Sequence, residues 1–214
     1  MSSSRPFAAK KPASRIRMDA ASRKQSILDA ALHHFSTRGY EASRIDDIAA
    51  DAGLSKGGFY AHFASKDEVF QALLARSLAI PTLDVSALIE HSASARELSE
   101  RLIKVLYAPL SKPGLMAVSK LLLTEGHRLP ELVERWRQSM LNSLYTQIAG
   151  LLGAAVAKGI CRDSVACREP WLVIAPLAYL VTQRLAHGTS VQPSLRRAQR
   201  LHVEMLSELL EPVR

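Results

Sequence analysis

Residues 45–63 contain the residue types from which a DNA-reading unit can be built. Ala49 is small enough for two crossing helices to approach closely, Gly53 suits a tight turn, and Phe59 can return its ring between the helices. This spacing is typical of a helix-turn-helix, in which the second helix enters the major groove and the first crosses the phosphate backbone. An ordinary pair of short helices in a helical bundle is the alternative that the spacing alone leaves open.

Positive charge is concentrated ahead of this unit. The chain has 214 residues and a formal net charge of +8, and seven of its 28 Lys and Arg residues lie in residues 1–28, beside a single Asp. The first 21 residues are rich in Ser, Pro, Ala and Lys without helical periodicity, which predicts a flexible basic arm. Such an arm is either a solvated tail or a polyanion contact, and its place before a DNA-reading unit favours the contact.

The unit needs neighbouring helices to hold it, and the sequence predicts them on both sides. Apolar residues recur at helical spacing over residues 22–38, and Gly39 is suited to end that helix. Ser43 is predicted to cap a second, short helix. Two more helices are predicted to begin near Ser55 and Ser65.

The sequence pattern changes after Pro81, where the predicted helices become longer and contain fewer charged residues. Pro113 and Pro130 each fit the first turn of a helix, where a missing backbone N–H costs nothing. No stretch alternates convincingly between apolar and polar residues, so the predicted fold class is all-α. The predicted helices in this part cover residues 94–110, 113–127, 130–158, 168–187 and 194–210.

Several classes of protein are disfavoured. No Gly-rich phosphate loop, nucleophile elbow or metal motif occurs, so we expect no enzyme, no cofactor and no metal site. Cys161 and Cys167 are expected to be inert thiols, with a redox pair as the alternative. The basic N-terminus has no apolar run behind it, and the longest uncharged stretch, residues 138–157, contains several polar side chains. We therefore expect no signal peptide, no membrane span and a cytoplasmic protein.

The motif around the predicted unit resembles the TetR family of bacterial transcriptional regulators. The resemblance is carried by Ser-Lys-Gly-Gly-Phe-Tyr-Ala-His-Phe at 55–63, Ser-Lys-Asp-Glu at 65–68 and Gly-Tyr-Glu-Ala-Ser at 39–43. It implies an N-terminal three-helix DNA-binding domain, a helical ligand-binding and dimerisation domain, and repression relieved by a small molecule. The domains implied are a flexible basic arm at 1–21, a helix-turn-helix domain at 22–80 and an effector-binding and dimerisation domain at 81–214.

The family's matching positions imply a set of DNA contacts. Gly57 and Gly58 would let the backbone approach DNA closely, while Lys56 could reach a phosphate or a guanine edge. Tyr60 and His62 match positions that contact the phosphate backbone, although a capping or packing role is the alternative for the histidine. The implied DNA-binding residues are Ser43, Arg44, Lys56, Gly57, Gly58, Tyr60, His62 and Lys66.

The local sequence supports a DNA contact for Ser43 and Lys66, whereas Asp46 departs from the family pattern. Ser43 could cap its helix and touch a phosphate together, and Lys66 lies at a helix N-terminus that suits a phosphate. Asp46 falls where some relatives carry a residue aimed at DNA, and we interpret it as part of the helix N-terminus. Because two glycines leave few side chains to read bases, specificity is expected to depend on Lys56, the arm and DNA shape.

The C-terminal half is predicted to supply a dimer interface. Residues 170–183 are uncharged, which predicts a helix buried on most sides, and the last helix has an apolar side that includes Leu201 and Met205. Pairing of these two helices with their copies would form a four-helix interface, as the resemblance implies. Burial within one chain alone is the alternative.

An effector pocket is predicted among the helices at 94–158 and 168–187. Apolar surface mixed with Tyr hydroxyls and one His fits a hydrophobic or aromatic effector, and Pro176 could kink its helix and open space. Leu123 and Tyr145 are further candidates for lining the pocket, and each candidate could equally be ordinary core. The predicted pocket residues are Tyr107, Met116, His127, Trp136, Met140, Trp171 and Tyr179.

The sequence therefore predicts a one-component transcriptional regulator that is not an enzyme. It is expected to act as a homodimeric repressor that binds double-stranded DNA at a pseudo-palindromic operator and is released by a small hydrophobic effector. A nonspecific architectural DNA-binding protein is the main alternative, and it would bind every sequence with similar affinity. A helical enzyme is the remaining alternative.

Overall fold

A computed structural model describes residues 19–79, 82–112, 114–188 and 193–212. Over these ranges the chain is helical and has no β-strand, which confirms the all-α prediction. Nearly all of the predicted arm lies outside the described residues, as do Pro81 and Pro113.

The N-terminal part contains four helices, and serine or aspartate side chains cap three of them. Asp19 accepts a hydrogen bond from the Ser22 backbone N–H, so the first helix begins two residues before the predicted start. Ser55 and Ser65 cap the third and fourth helices as expected. The helices are α1 (Ala20–Arg38), α2 (Ile45–Asp51), α3 (Lys56–Tyr60) and α4 (Lys66–Ser77).

The second part contains longer helices at close to the predicted positions. Two features differ from the prediction. A short helix at residues 85–90 was not predicted, and the helix predicted at 168–187 begins at Trp171, after a separate helix at Val165–Arg168. A π-helical turn, Arg137–Leu141, interrupts the helix predicted at 130–158. The helices are α5 (Val85–Glu90), α6 (Ala95–Tyr107), α7 (Leu115–Glu125), α8 (Pro130–Trp136), α9 (Asn142–Ala157), α10 (Val165–Arg168), α11 (Trp171–His187) and α12 (Leu195–Leu210).

Two hydrophobic cores organise these helices. The first joins α1 to α4 through buried aromatic rings such as Phe35, Phe59 and Phe70, and it also contains Val118 and Leu132 from α7 and α8. The second lies among α5, α6, α9, α11 and α12. Because α7 and α8 contribute to the first core, the N-terminal helices pack directly against the second part of the chain.

The run Pro130–Ala157 is the one helix among the described ranges that is long and apolar enough to cross a membrane by length and composition. Its C-terminal half buries Ile148, Leu151 and Leu152 in the second core. Over its most apolar stretch, 28% of the residues are buried within the chain.

Helix α11 is less buried than its uncharged sequence predicts. Within the single chain only Val173 and Leu180 of this helix are buried, while Trp171 is 49% and Tyr179 is 53% exposed. The prediction of burial on most sides is therefore wrong for one chain, because none of the helices that the structure describes covers this side. Leu201 and Met205 of α12 are exposed in the same way.

Candidate nucleic-acid interface and ligand cavity

The predicted helix-turn-helix is formed by α2 and α3. Ala49 is buried on α2, Phe59 of α3 is fully buried, and Gly53 between them adopts a φ of +71° that favours glycine. The Leu54 N–H donates to the Ala49 carbonyl over 2.9 Å, which closes the turn. The small residue, the turn glycine and the returning ring thus have the roles predicted from their spacing.

Helix α3 presents a short exposed face. Tyr60 is 47% exposed, and its hydroxyl has no hydrogen-bond partner among the described residues. The two glycines differ: a Cβ at Gly57 would come no nearer than 3.9 Å to another atom, whereas a Cβ at Gly58 would lie 3.4 Å from the Cβ of Leu54. Gly57 therefore leaves open surface on which DNA backbone could approach, and Gly58 allows α3 to lie close to the preceding turn.

An ion pair explains the aspartate that departs from the family pattern. The Lys56 Nζ lies 3.0 Å from an Asp46 carboxylate oxygen, and both side chains are more than half exposed. Asp46 is in the first turn of α2, as interpreted from the sequence. The carboxylate can hold the Lys56 ammonium at the surface of α3. From there the ammonium could exchange the carboxylate for a DNA phosphate.

Lys66 has a different environment from the one predicted. Its Nζ donates to the backbone carbonyls of Tyr40 at 2.8 Å, Glu41 at 3.2 Å and Ser43 at 3.3 Å. It also lies 4.4 Å from the centroid of the Tyr40 ring. All three ammonium protons are therefore used within the protein, so Lys66 fastens the loop before α2 to the start of α4 and has no proton free for a phosphate.

The same loop holds Ser43 and Arg44. Ser43 is 3% exposed and its hydroxyl donates to the Gly39 carbonyl over 2.7 Å. The N-cap of α2 is the exposed Arg44, without a side-chain capping bond, so the predicted cap at Ser43 is wrong. A phosphate contact remains open to the Arg44 guanidinium, whereas the buried Ser43 hydroxyl is committed to the loop.

The end of α3 lies beside the start of α1. His62 is half-buried, and its ring makes no hydrogen bond among the described residues. The Lys24 ammonium of α1 lies 5.0 Å from the centroid of the Phe63 ring, next to His62. The sequence alone identifies Lys24 only as one of the N-terminal positive charges. The folded chain brings it close to the end of the helix-turn-helix, because α1 packs against that unit.

Comparisons with known proteins agree with this geometry. The family described as "Bacterial regulatory proteins, tetR family" matches residues 27–73. The HTH-type transcriptional regulator SrpR of Pseudomonas putida is 34% identical over 114 residues, which cover 46% of this chain and 52% of SrpR. TtgW, a second HTH-type transcriptional regulator of Pseudomonas putida, is 34% identical over 114 residues, which cover 46% of this chain and 83% of TtgW. The chain belongs to the TetR family.

TetR-family proteins are DNA-binding transcriptional regulators, and the part of the chain that the family matches contains the helix-turn-helix. The chain spans about half the length of SrpR. NalD of Pseudomonas aeruginosa, the secondary repressor of the MexAB-OprM multidrug efflux pump, shares the fold. Its structure is 18% identical, with a TM-score of 0.66 over 90% of this chain and 98% of NalD.

The TetR-family chain has a cavity of about 340 Å³ in its second part. It is bounded by the end of α4 at Leu78 and Ala79, by α6, α7 and α9, and by α11. Its volume falls within the range of about 300–1,000 Å³ that is typical of small-molecule sites. The exposed residues Leu123, Ala178 and Thr182 lie on its wall, so the cavity opens to solvent.

Of the seven predicted pocket residues, Trp136 lies on this wall, as does the further candidate Leu123. The other six lie elsewhere, because most of the wall is built from aliphatic side chains and the aromatic and polar candidates pack or face outward. Tyr107 is buried against His202, and Met116 packs on the second core. His127 is exposed in a surface turn, and Met140 borders a cleft between α4 and α8. Trp171 and Tyr179 are half-exposed on α11.

The two cysteines are both free thiols. Cys161 is 4% exposed, and burial raises the pKa of its thiol to about 11. The thiol is therefore protonated and unreactive at neutral pH. This environment favours the prediction of an inert residue over a redox pair.

Proposed function

We propose that the protein is a homodimeric repressor that binds a pseudo-palindromic operator and is released by a small hydrophobic effector. The observation that carries the proposal is the exposed face of α3, where Lys56, Gly57 and Tyr60 lie together without a covering element among the described residues. The DNA-binding residues proposed on this face and beside it are Arg44, Lys56, Gly57, Gly58, Tyr60 and His62. Repression is also the activity of NalD, which shares the fold.

Helix α4 gives the cavity a physical connection to the DNA-binding unit. Leu78 and Ala79 at its C-terminal end line the cavity, and Lys66 at its N-terminal end holds the loop that precedes α2. A ligand that favours a different position of α4 would therefore move α2 and α3 together. Only a ligand with different affinity for the two states can release DNA in this way.

Dimerisation is proposed through the uncovered faces of α11 and α12. Their exposed large apolar residues are Trp171, Tyr179, Leu201 and Met205, and contact with a second copy would remove them from water. A twofold dimer would present two recognition helices to half-sites one helical turn apart, about 34–36 Å. We place the protein in the cytoplasm, where its DNA partner is, with no membrane role.

The test is to capture genomic DNA fragments with the purified protein at physiological salt and to sequence the bound pool. We expect one enriched pseudo-palindrome. The variant Gly57→Glu should lose it, because a carboxylate on the open face of α3 would be repelled by phosphates while its Cβ meets no close atom. The matched control is Gly150→Glu on α9, where a Cβ also meets open space.

The outcomes separate the proposal from its alternatives. Uniform recovery of fragments, with an affinity that falls steeply with salt, would instead favour an architectural DNA-binding protein. Equal recovery by the Gly57→Glu and Gly150→Glu variants would mean that α3 does not enter the groove.

A further inference from the structure

We propose that the cavity takes an uncharged, mostly apolar molecule with one hydrogen-bonding oxygen, and that the Ser119 hydroxyl holds this oxygen. The inference rests on the proposed effector role of the cavity and adds the chemical class of the effector and the residue that orients it. Three observations support it: the absence of ionisable groups on the described wall, the small number of polar groups there, and the hydrogen bonding of each polar group.

None of the 17 described residues that line the cavity is Asp, Glu, Lys, Arg or His. Arg184 does not line the cavity, and its Nη1 donates to the carbonyl of the lining residue Leu110 over 3.2 Å. A charged group brought into an apolar cavity without a partner loses its hydration at a high cost in free energy. The wall therefore selects against ions of either sign.

Three lining residues carry polar side-chain groups, and two of these groups have no accessible proton to donate to a ligand oxygen. The Thr182 hydroxyl donates to the Tyr179 carbonyl over 2.8 Å. The Trp136 indole nitrogen is completely covered by neighbouring atoms and has no partner among the described residues. A ligand could reach this nitrogen only if the indole moved.

Ser119 on α7 is the remaining polar residue. It is 7% exposed, and its hydroxyl has no hydrogen bond among the described residues. Two other buried serines bond within their own helices: the hydroxyls of Ser92 and Ser99 donate to carbonyls four residues earlier, over 2.7 Å and 2.8 Å. The buried Ser77 of α4, like Ser119, has no hydrogen bond from its hydroxyl among the described residues, but it does not line the cavity. The Ser119 oxygen is also absent from the fully covered unpartnered atoms of the described chain, so it keeps surface toward the cavity. A ligand oxygen could satisfy it.

The test uses three probes of similar shape: β-methylnaphthalene, β-acetylnaphthalene and β-naphthoate. They present a methyl group, a neutral hydrogen-bond acceptor and an anion respectively. Binding to the full-length protein at neutral pH is followed by NMR through the two indole N–H signals. Trp136 lines the cavity and reports binding, whereas Trp171 lies off the cavity wall on the proposed dimer face, where it donates to Glu169 over 2.9 Å, and serves as an internal control.

We expect β-acetylnaphthalene to bind about 3- to 10-fold more tightly than β-methylnaphthalene, the value of one hydrogen bond. The anion should bind at least about tenfold more weakly than the ketone. Ser119→Ala should bind the ketone and the hydrocarbon equally. Thr182→Val is the matched control, because it removes a hydroxyl from the same wall that is already bonded internally, and it should keep the preference.

Each contrary result has a distinct meaning. Equal binding of the ketone and the hydrocarbon by the unmodified protein would overturn the role of Ser119, and this comparison does not depend on any variant folding. Tight binding of the anion would overturn the uncharged class. If no probe moved the Trp136 signal, the result would contradict the effector role of the cavity. That part of the proposed function would then be wrong as well.

Discussion

Lys56 and Lys66 show how the surroundings of a residue decide its role. Both match family positions that imply a DNA contact, and both are near the N-terminus of a helix. Lys56 is exposed and paired with one surface carboxylate, whereas Lys66 is enclosed by three backbone carbonyls and an aromatic ring. The first can exchange its partner for a phosphate at little cost, and the second can do so only by releasing the loop before α2.

Replacing Lys66 by methionine should therefore weaken the fold rather than a phosphate contact. We expect Lys66→Met to lower the free energy of unfolding by about 1–3 kcal/mol, since it leaves three backbone carbonyls, two of them partly buried, without their charged donor. The slope of log affinity for DNA against log salt should stay that of the unmodified protein. Urea denaturation and DNA titrations at several salt concentrations measure the two quantities.

Lys56→Met is the control, with the opposite pattern expected. It should change the free energy of unfolding by less than about 0.5 kcal/mol, since exposed ion pairs contribute little. It should also reduce the salt slope by about one phosphate contact. A reduced salt slope in Lys66→Met would contradict the assignment of Lys66 to the loop.

Tyr60→Phe should weaken binding to all DNA sequences by a similar factor. Its exposed hydroxyl is free to donate to a phosphate, and the loss of one such bond is expected to cost about 3- to 10-fold in affinity. Titrations with operator and random duplexes measure it. Tyr145→Phe removes a half-buried hydroxyl from α9, outside the DNA-binding unit and the proposed dimer faces, and should leave both affinities unchanged. An unaltered affinity in Tyr60→Phe would contradict the phosphate contact.

At the scale of elements, the junction of α6 and α12 buries two titratable side chains together. The Tyr107 hydroxyl lies 3.3 Å from Nδ1 of His202, and His202 is 3% exposed. Burial raises the pKa of Tyr107 to about 12 and lowers the pKa of His202 to about 4. Both side chains are therefore neutral in the folded protein at physiological pH.

This junction makes stability depend on pH in a definite direction. His202 stays neutral in the folded chain while the unfolded chain takes up a proton below its ordinary pKa of about 6.5, so stability is full above that pH and falls on acidification. With the folded pKa at about 4, we expect a loss of about 3 kcal/mol between these two values. Urea denaturation at a series of pH values measures it.

His202→Gln should remove most of this pH dependence, because glutamine does not titrate. The matched control is His127→Gln in an exposed surface turn, which should keep the dependence of the unmodified protein. If His202→Gln lost stability on acidification as steeply as the unmodified protein does, another group would be responsible.

At the scale of the whole molecule, the apolar faces of α11 and α12 predict the oligomeric state. The double variant Leu201→Glu with Met205→Glu should raise the dissociation constant of the dimer by about 100-fold or more, because it would bury unpaired carboxylates between copies. It should fold normally, since these side chains are 49% and 40% exposed within one chain. Sedimentation measures the mass, and titration with the captured operator measures DNA affinity.

The control for this variant is Thr124→Glu, a new charge at an exposed position of α7. It should remain a dimer. A double variant that keeps the dimer mass would show that the copies meet through another surface.

Much of this protein follows from its sequence because the signals are local. Helical periodicity, serine caps and the turn glycine Gly53 depend on neighbours within a few residues, so they predicted the all-α class, most helix positions and the helix-turn-helix. Spacing also identified Ala49 and Phe59 as the contacts between α2 and α3. The regulatory class followed from the same short motif, which carries the family resemblance.

Tertiary structure decided the features that depend on residues distant in sequence. The Lys66 ammonium meets carbonyls more than 20 positions earlier, and Trp136 reaches the cavity while Tyr107 turns to His202, 95 positions later. Sequence periodicity cannot distinguish an apolar face that meets its own chain from one left open, so α11 was expected to be more buried than it is. Which polar group remains unpartnered in a cavity is likewise fixed by three-dimensional contacts, because each hydroxyl takes whatever acceptor the fold brings within reach.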